Sequence, residues 1–346
     1  MNPSPPRRVV LLGVTVLGLL VAGVLIAGHP RPKPVLHRKP AHLAHVATTS
    51  AGPSPASTTT SATAAAASST TTTIPVPPLA VPTTQSGVHW VEQKVSLTYQ
   101  GLSRGYILFR PAARQATPIP VVVELAGCCV SAEIEAARDN LKGVAGPVIL
   151  VYPEYYEKFW NAGACCGPPT NQGVDDVGFV NTVIDRVRSS QPDAAPGPVY
   201  LAGYSNGGKL AMEMACREPS AFAAVAVYGA TRTTSCSGPP PASVLIMAGT
   251  ADPEDSVNGP PVVQNGFTEP TVNQLVDSYL AADGCSASRQ TLTLGATSIA
   301  RWGPCSNSRL VQEVLYQGAN HTWQAGSGQT PSAEQVMWDF FAQFGA

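Results

Sequence analysis

A mostly parallel β-sheet covered by helices on both faces is the fold this sequence predicts, and three observations predict it. Seven short apolar runs rich in β-branched residues are spread over residues 105–318. Amphipathic, helix-like segments separate several of them. The runs are apolar at successive positions, as in strands buried on both faces, where a half-exposed strand would alternate.

In chain order the strand-like runs are "GYILFRP", "VVVELAG", "VILVYP", "VYLAGYS", "AFAAVAVYG", "SVLIMAGT" and "RLVQEVLYQG". No helix pattern precedes "GYILFRP", so the opening strands are expected to form an antiparallel edge. The helix-like segments are "SAEIEAARDNLK", "DDVGFVNTVIDRVRSS", "NGGKLAMEMAC", "TVNQLVDSYLAADG" and the terminal "SAEQVMWDFFAQFG". In the second of these, Asp175 reads as the N-cap and Asp176 as an acid of the first turn, where both oppose the positive end of the helix.

The formal net charge of −1 hides a split. The first 91 residues carry Arg7, Arg8, Arg31, Lys33, Arg38 and Lys39 and no acid, which leaves 15 Lys and Arg against 22 acids in the remainder. A mildly acidic body without basic clusters argues against a nucleic-acid partner. Residues Val9 to Gly28 form an unbroken run of apolar or small residues behind Arg7-Arg8. At 1.5 Å per residue such a run crosses a hydrocarbon layer of about 30 Å, so residues 1–30 are expected to be a signal anchor or a signal peptide. Residues 31–87, first basic and then rich in Thr, Ser, Ala and Pro, hold too little apolar surface to fold and are expected to form an extended stalk. The α/β domain is then 88–346. All eight cysteines lie between Cys128 and Cys305. An even number confined to the body suits an oxidising compartment, hence a cell-surface or extracellular location, with membrane contact only through the N-terminal segment.

The run "VYLAGYSNGG" places Ser205 between Gly203 and Gly207, at the passage from a strand pattern to a helix pattern. That spacing is the G-x-S-x-G nucleophile elbow of α/β-hydrolases, a sharp turn that lifts the serine hydroxyl off the sheet. A serine needs a base within hydrogen-bonding reach, and the expected chain order is Ser, then Asp or Glu, then His. Of six histidines only His321 follows Ser205, in the loop "ANHTW" after a strand-like run. Asp252, at the end of "SVLIMAGTAD", is the expected acid, with Glu254 and Asp255 as near alternatives. The backbone N–H groups of Asn206 and Cys128 are the expected oxyanion donors. No cysteine is matched to a base as Ser205 is. No C-x₂-C or comparable ligand spacing occurs, so neither metal nor other cofactor is expected.

In order along the chain stand "WNAGACCG", "DDVGF", "GYSNGG", "FAAVA", "AGTADP", the pair Cys285 and Cys305, and "NHTW". With these motifs the domain resembles the extracellular poly(3-hydroxybutyrate) depolymerase and feruloyl/acetylxylan esterase group of α/β-hydrolases, from about Val95 to the C-terminus. The resemblance implies a serine carboxylic-ester hydrolase and carries the nucleophile, acid and base roles onto Ser205, Asp252 and His321. Two departures stand out. The group usually has His-Gly after the strand that supplies the second oxyanion donor, whereas here Ala126 precedes Gly127, so the support of that loop must differ. The group's "HTWPG" is "HTWQAG" here.

Cys216–Cys236 and Cys285–Cys305 read as loop-closing disulfides. Cys128, Cys129, Cys165 and Cys166 leave three connectivities open, of which a bridge between the "AGCC" and "ACCG" loops is attractive. Trp160 and Trp323 are candidates for a substrate pocket, with core packing as the alternative. Asn320-His321-Thr322 matches a glycosylation sequon, but a glycan beside the base would block the site. The function expected is an exported serine esterase acting on a small or polymeric ester. A non-catalytic cell-surface binding domain on the same fold is the alternative, and a peptidase or acyltransferase would use the same residues.

Overall fold

A two-residue turn opens the structure. Gln100 and Gly101 both adopt positive φ, which matches the twist of a tight hairpin and sets β1 (Trp90–Tyr99) antiparallel to β2 (Leu102–Pro111). The computed structural model describes residues 87–236 and 243–346, with Leu79. The anchor or signal segment at 1–30 and nearly all of the stalk therefore lie outside the described residues. Among the described residues no helix is long and apolar enough to cross a membrane.

The chain continues through β3 (Val121–Leu125), α1 (Ala132–Arg138), α2 (Leu141–Val144), β4 (Ile149–Pro153), α3 (Gly167–Gln172), α4 (Asp176–Ser190), β5 (Val199–Tyr204), α5 (Asn206–Arg217) and β6 (Phe222–Tyr228). It ends with β7 (Ser243–Gly249), the two-residue strands β8 (Val263–Gln264) and β9 (Phe267–Thr268), α6 (Val272–Ala282), β10 (Arg289–Leu294), β11 (Thr297–Trp302), β12 (Val311–Tyr316) and α7 (Ala333–Ala342). Ten strands form one sheet in the order β1-β2-β4-β3-β5-β6-β7-β12-β11-β10. The six from β4 to β12 are mutually parallel, and antiparallel pairs close both edges.

The central strands are buried along their whole length, and their two-residue alternation feeds two cores. Val123, Leu201 and Val227 face α4, α5 and α6, while Val122, Tyr200 and Ala226 face α2 and α7. After β3 the chain moves outward to β4 and then returns past β3 to β5. Strand order therefore reverses between β3 and β5, where open α/β sheets form a crevice at the carboxyl ends of their strands.

Two features differ from the sequence expectation. "SAEIEAARDNLK" is two helices, because Asn140 adopts left-handed φ and the Asp139 carboxylate accepts from Leu141 N–H at 3.1 Å, a local bond that competes with helix continuation. The hairpin β10–β11 carries no strong apolar run because β10 is an edge strand, largely exposed. The helix start at Asp175 is as expected: its carboxylate accepts from Gly178 N–H at 2.9 Å.

The disulfides Cys216–Cys236 and Cys285–Cys305 are both formed. The bridge between the "AGCC" and "ACCG" loops is not. Cys165 and Cys166 lie against each other, away from Cys128 and Cys129, which are free. Cys165 is buried, with its sulfur 3.8 Å from the Asn206 amide nitrogen, whereas Cys128 and Cys129 are exposed and their sulfurs face each other.

Candidate active site

Ser205 stands alone between β5 and α5, with φ 52° and ψ −123°. A non-glycine residue held at positive φ is strained, and its neighbours must permit the turn. They do so by having no side chains. A Cβ on Gly203 would sit 2.6 Å from the Gly207 carbonyl oxygen, and one on Gly207 would sit 2.1 Å from the Leu125 oxygen. The second contact shows how tightly α5 is pressed against the end of β3. Ser205 N–H is fixed by the Tyr228 carbonyl at 2.9 Å, so the hydroxyl is held above the crevice.

His321 reaches this hydroxyl from the loop after β12. Its Nε2 lies 2.8 Å from Ser205 Oγ, and its Nδ1 lies 2.8 Å from Asp252 Oδ2. The loops carrying His321 and Asp252 are joined directly, since Ala251 N–H donates to the Ala319 carbonyl at 2.9 Å. Gly229, just past β6, leaves room for the ring: a Cβ there would stand 3.1 Å from His321 Cε1. Tyr204 stacks on the imidazole at 5.5 Å and donates its hydroxyl to the His321 carbonyl at 2.9 Å.

Asp252 is buried, and its other oxygen accepts from the N–H groups of Glu254 and Asp255 at 2.8 and 3.0 Å. Burial opposes its ionisation, but the bonds from His321 and the two N–H groups outweigh burial and hold the carboxyl below its ordinary range. Burial likewise opposes the imidazolium of His321. The hydrogen bond and charge of Asp252, with Glu254 and Asp255 beyond it, prevail and raise its pKa above the ordinary value. The two alternative acids are placed elsewhere. Asp255 is buried against Lys209 Nζ at 3.1 Å, and Glu254 is exposed at the rim, 3.6 Å from His321 Nε2.

Asn206 follows Ser205 at the first position of α5, where backbone N–H groups have no partner within the helix. Its buried side chain is clamped both ways to Trp160, accepting from the backbone N–H at 2.7 Å and donating to the carbonyl at 3.1 Å. Trp160 is not a pocket residue. It is fully buried, and its indole N–H donates to the Ala126 carbonyl at 2.9 Å, so it supports the end of β3 instead of meeting a ligand. Trp323 is half-buried, packed on Tyr204 and Tyr228, with its indole N–H on Glu334 at 3.2 Å. Cys128 follows Gly127 at the exposed rim of the crevice.

Two groups of potential metal ligands occur among the described residues, Asp252–Asp255–His321 and Glu124–Glu135–Asp139. In the first, each side chain is already engaged, with Ser205, Lys209 or another member. The second is a buried carboxyl cluster beneath the Gly127 loop, with Arg138 bonded to Glu135. Tyr204, Gly229, Lys209, Glu135 and Arg138 were not singled out from sequence. Only Tyr204 and Gly229 gave a signal, as the variable position inside the serine motif and a glycine just past a strand.

Residues 104–254 match the family model described as esterase PHB depolymerase, a span that holds Ser205 and Asp252 and stops short of His321. Over 254 residues the chain is 29% identical to NocK of Nocardia uniformis subsp. tsuyamanensis, a protein named as an esterase, covering 66% of this chain and 72% of NocK. Over 179 residues it is 26% identical to feruloyl esterase D of Neurospora crassa, covering 50% of this chain and 57% of that protein. Among solved structures, an acetyl xylan esterase from Aspergillus awamori aligns with a TM-score of 0.50 at 14% identity, over 73% of this chain and 99% of that one. At that identity the likeness carries the fold, which is the α/β-hydrolase fold.

Proposed function

We propose that this chain, which carries an esterase PHB depolymerase domain on an α/β-hydrolase fold, hydrolyses carboxylic esters with Ser205 as a covalent nucleophile. The observation that carries the reading is the hydrogen-bonded line from Ser205 Oγ through His321 to Asp252, both links at 2.8 Å. Ser205 Oγ attacks the ester carbonyl while His321 Nε2 takes its proton, and Asp252 holds the ring tautomer and stabilises the imidazolium. The N–H groups of Asn206 and Cys128 receive the oxyanion. As the tetrahedral species collapses, His321 returns the proton to the leaving alcohol. Water, activated by the same base, then releases the acid from the acyl-enzyme.

Export is part of the proposal, supported by the apolar run Val9 to Gly28, the polar stalk and the paired cysteines of the domain. The substrate is a small or polymeric carboxylic ester reached near the cell envelope. The test is hydrolysis of short, medium and aromatic nitrophenyl esters by the wild type and Ser205→Ala. The reading expects wild-type turnover and a fall on the order of 10⁴ or more in the variant. A variant that keeps its activity would rule Ser205 out as nucleophile.

A further inference from the structure

The group this chain resembles uses His-Gly where this chain has Ala126-Gly127, so another part of the molecule must hold the loop that presents Cys128 N–H. The Ala126–Gly127 peptide is pinned at both ends. Its carbonyl accepts from the Trp160 indole at 2.9 Å, and its N–H donates to Glu135 Oε2 at 3.2 Å. Glu135 is fully buried on α1. Arg138, one turn along the same helix, donates to it through Nη2 and through Nε at 3.3 Å.

Arg138 also lies over the Tyr204 ring, 4.4 Å from its centre, and Tyr204 in turn stacks on His321. Gly127 is threaded between them: a Cβ there would meet Tyr204 Cδ1 at 2.6 Å and Arg138 Nη2 at 3.4 Å. Arg138 is bonded to Glu135, one of a cluster of three buried carboxyls. Burial and their mutual charges push Glu124 and Asp139 well above the ordinary range, towards the neutral form, while Arg138 opposes the burial of Glu135. The next N–H along the chain is that of Cys128, and beyond it Cys129 N–H is tied to the Lys158 carbonyl at 2.9 Å, so the Cys128 peptide is held between two fixed points.

Resting on the serine-esterase reading above, we infer that Glu135 and Arg138 are positioning residues that aim the Cys128 N–H at the oxyanion, in place of the histidine this chain lacks. Neither touches the reacting atoms. Their effect belongs to the transition state, where the oxyanion forms, and so to kcat more than to KM.

The experiment compares the full-length wild type, Ser205→Ala, Glu135→Ala, Glu135→Gln and Arg138→Met. Each is assayed for kcat and KM on one nitrophenyl ester and for inhibition by a trifluoromethyl ketone, whose adduct carries the same oxyanion. Loss of one oxyanion donor costs on the order of 10²–10³ in turnover, and misaiming one should cost part of that. Glu135→Ala is expected to lose about 30- to 100-fold in kcat with KM within about threefold, and to bind the ketone more weakly by a similar factor. Glu135→Gln, which keeps an acceptor for Gly127 N–H, is expected to recover most of this loss.

Should Glu135→Ala fail to fold, Arg138→Met carries the test, since Arg138 is partly exposed and its stem is retained. A loss of about tenfold in kcat at near-constant KM is then expected. The inference is overturned if folded Glu135→Ala, or Arg138→Met in its place, keeps kcat and ketone affinity within about threefold of wild type while Ser205→Ala is inactive. Activity retained by Ser205→Ala would instead remove the reading beneath it.

Discussion

At the scale of single residues, the proposed base is held between burial and the charge of its neighbours. In the proposed mechanism His321 must be neutral to take a proton from Ser205, and its pKa is raised because the carboxylates around it outweigh the effect of burial. The acid limb of kcat/KM is therefore predicted to have its midpoint above 6.5, with activity falling about tenfold per pH unit below it. Glu254→Gln removes an exposed carboxylate 3.6 Å from Nε2 and should move that midpoint to lower pH, by less at high salt. A pH–rate profile of the two proteins checks this, and an unmoved midpoint would show that Glu254 does not act on the base. Stability responds with the opposite sense. A raised folded pKa stabilises the fold below the unfolded imidazole's pKa, and the gain disappears as pH rises through the folded value. Ser205, Asp252 and His321 were legible because glycine spacing, a strand end and a single downstream histidine each mark chain position. Glu135, Arg138 and the burial of Trp160 were not, because they depend on which way side chains point across 8 to 66 residues of chain.

At the scale of elements, the junction of β5 and α5 against β3 is the tightest point of the site. Gly207→Ala puts a Cβ against backbone oxygens of Leu125 and Ala126, at 2.1 and 2.4 Å, and backbone cannot step aside as a side chain can. Overpacking of this kind costs about 3 kcal/mol or more, so a drop in Tm of roughly 6–12 °C is predicted, together with loss of esterase activity. Gly197→Ala is the control, since a Cβ there meets nothing within 4 Å. Thermal melts of both variants decide it, and a Gly207→Ala protein as stable as the control would mean that α5 is not pressed on β3. The buried strands and the capped start of α4 could be read from the chain, because continuous apolar runs and an Asp-Asp helix start have local causes. The break between α1 and α2 could not, because a left-handed Asn140 leaves the helical pattern of its neighbours intact. Nor could the hairpin β10–β11, since its edge strand answers to pairing more than to burial.

At the scale of the molecule, the parallel centre of the sheet brings four distant points to one crevice: the ends of β3, β5 and β7, and the loop after β12. The ester-hydrolase reading joins that geometry to the esterase PHB depolymerase match over residues 104–254. The fold class was legible because it follows from strand and helix order alone. The state of the cysteines in "AGCC" and "ACCG" was not, because four cysteines in two adjacent pairs have no local preference for a partner. The central claim is that Ser205 is a nucleophile activated by His321, and covalent labelling tests it most directly. Folded protein should react with an active-serine fluorophosphonate to one equivalent, with the adduct located by peptide mass mapping on Ser205, and Ser205→Ala should remain unlabelled. A folded wild type that takes up no label, or takes it up at another residue, would contradict the account.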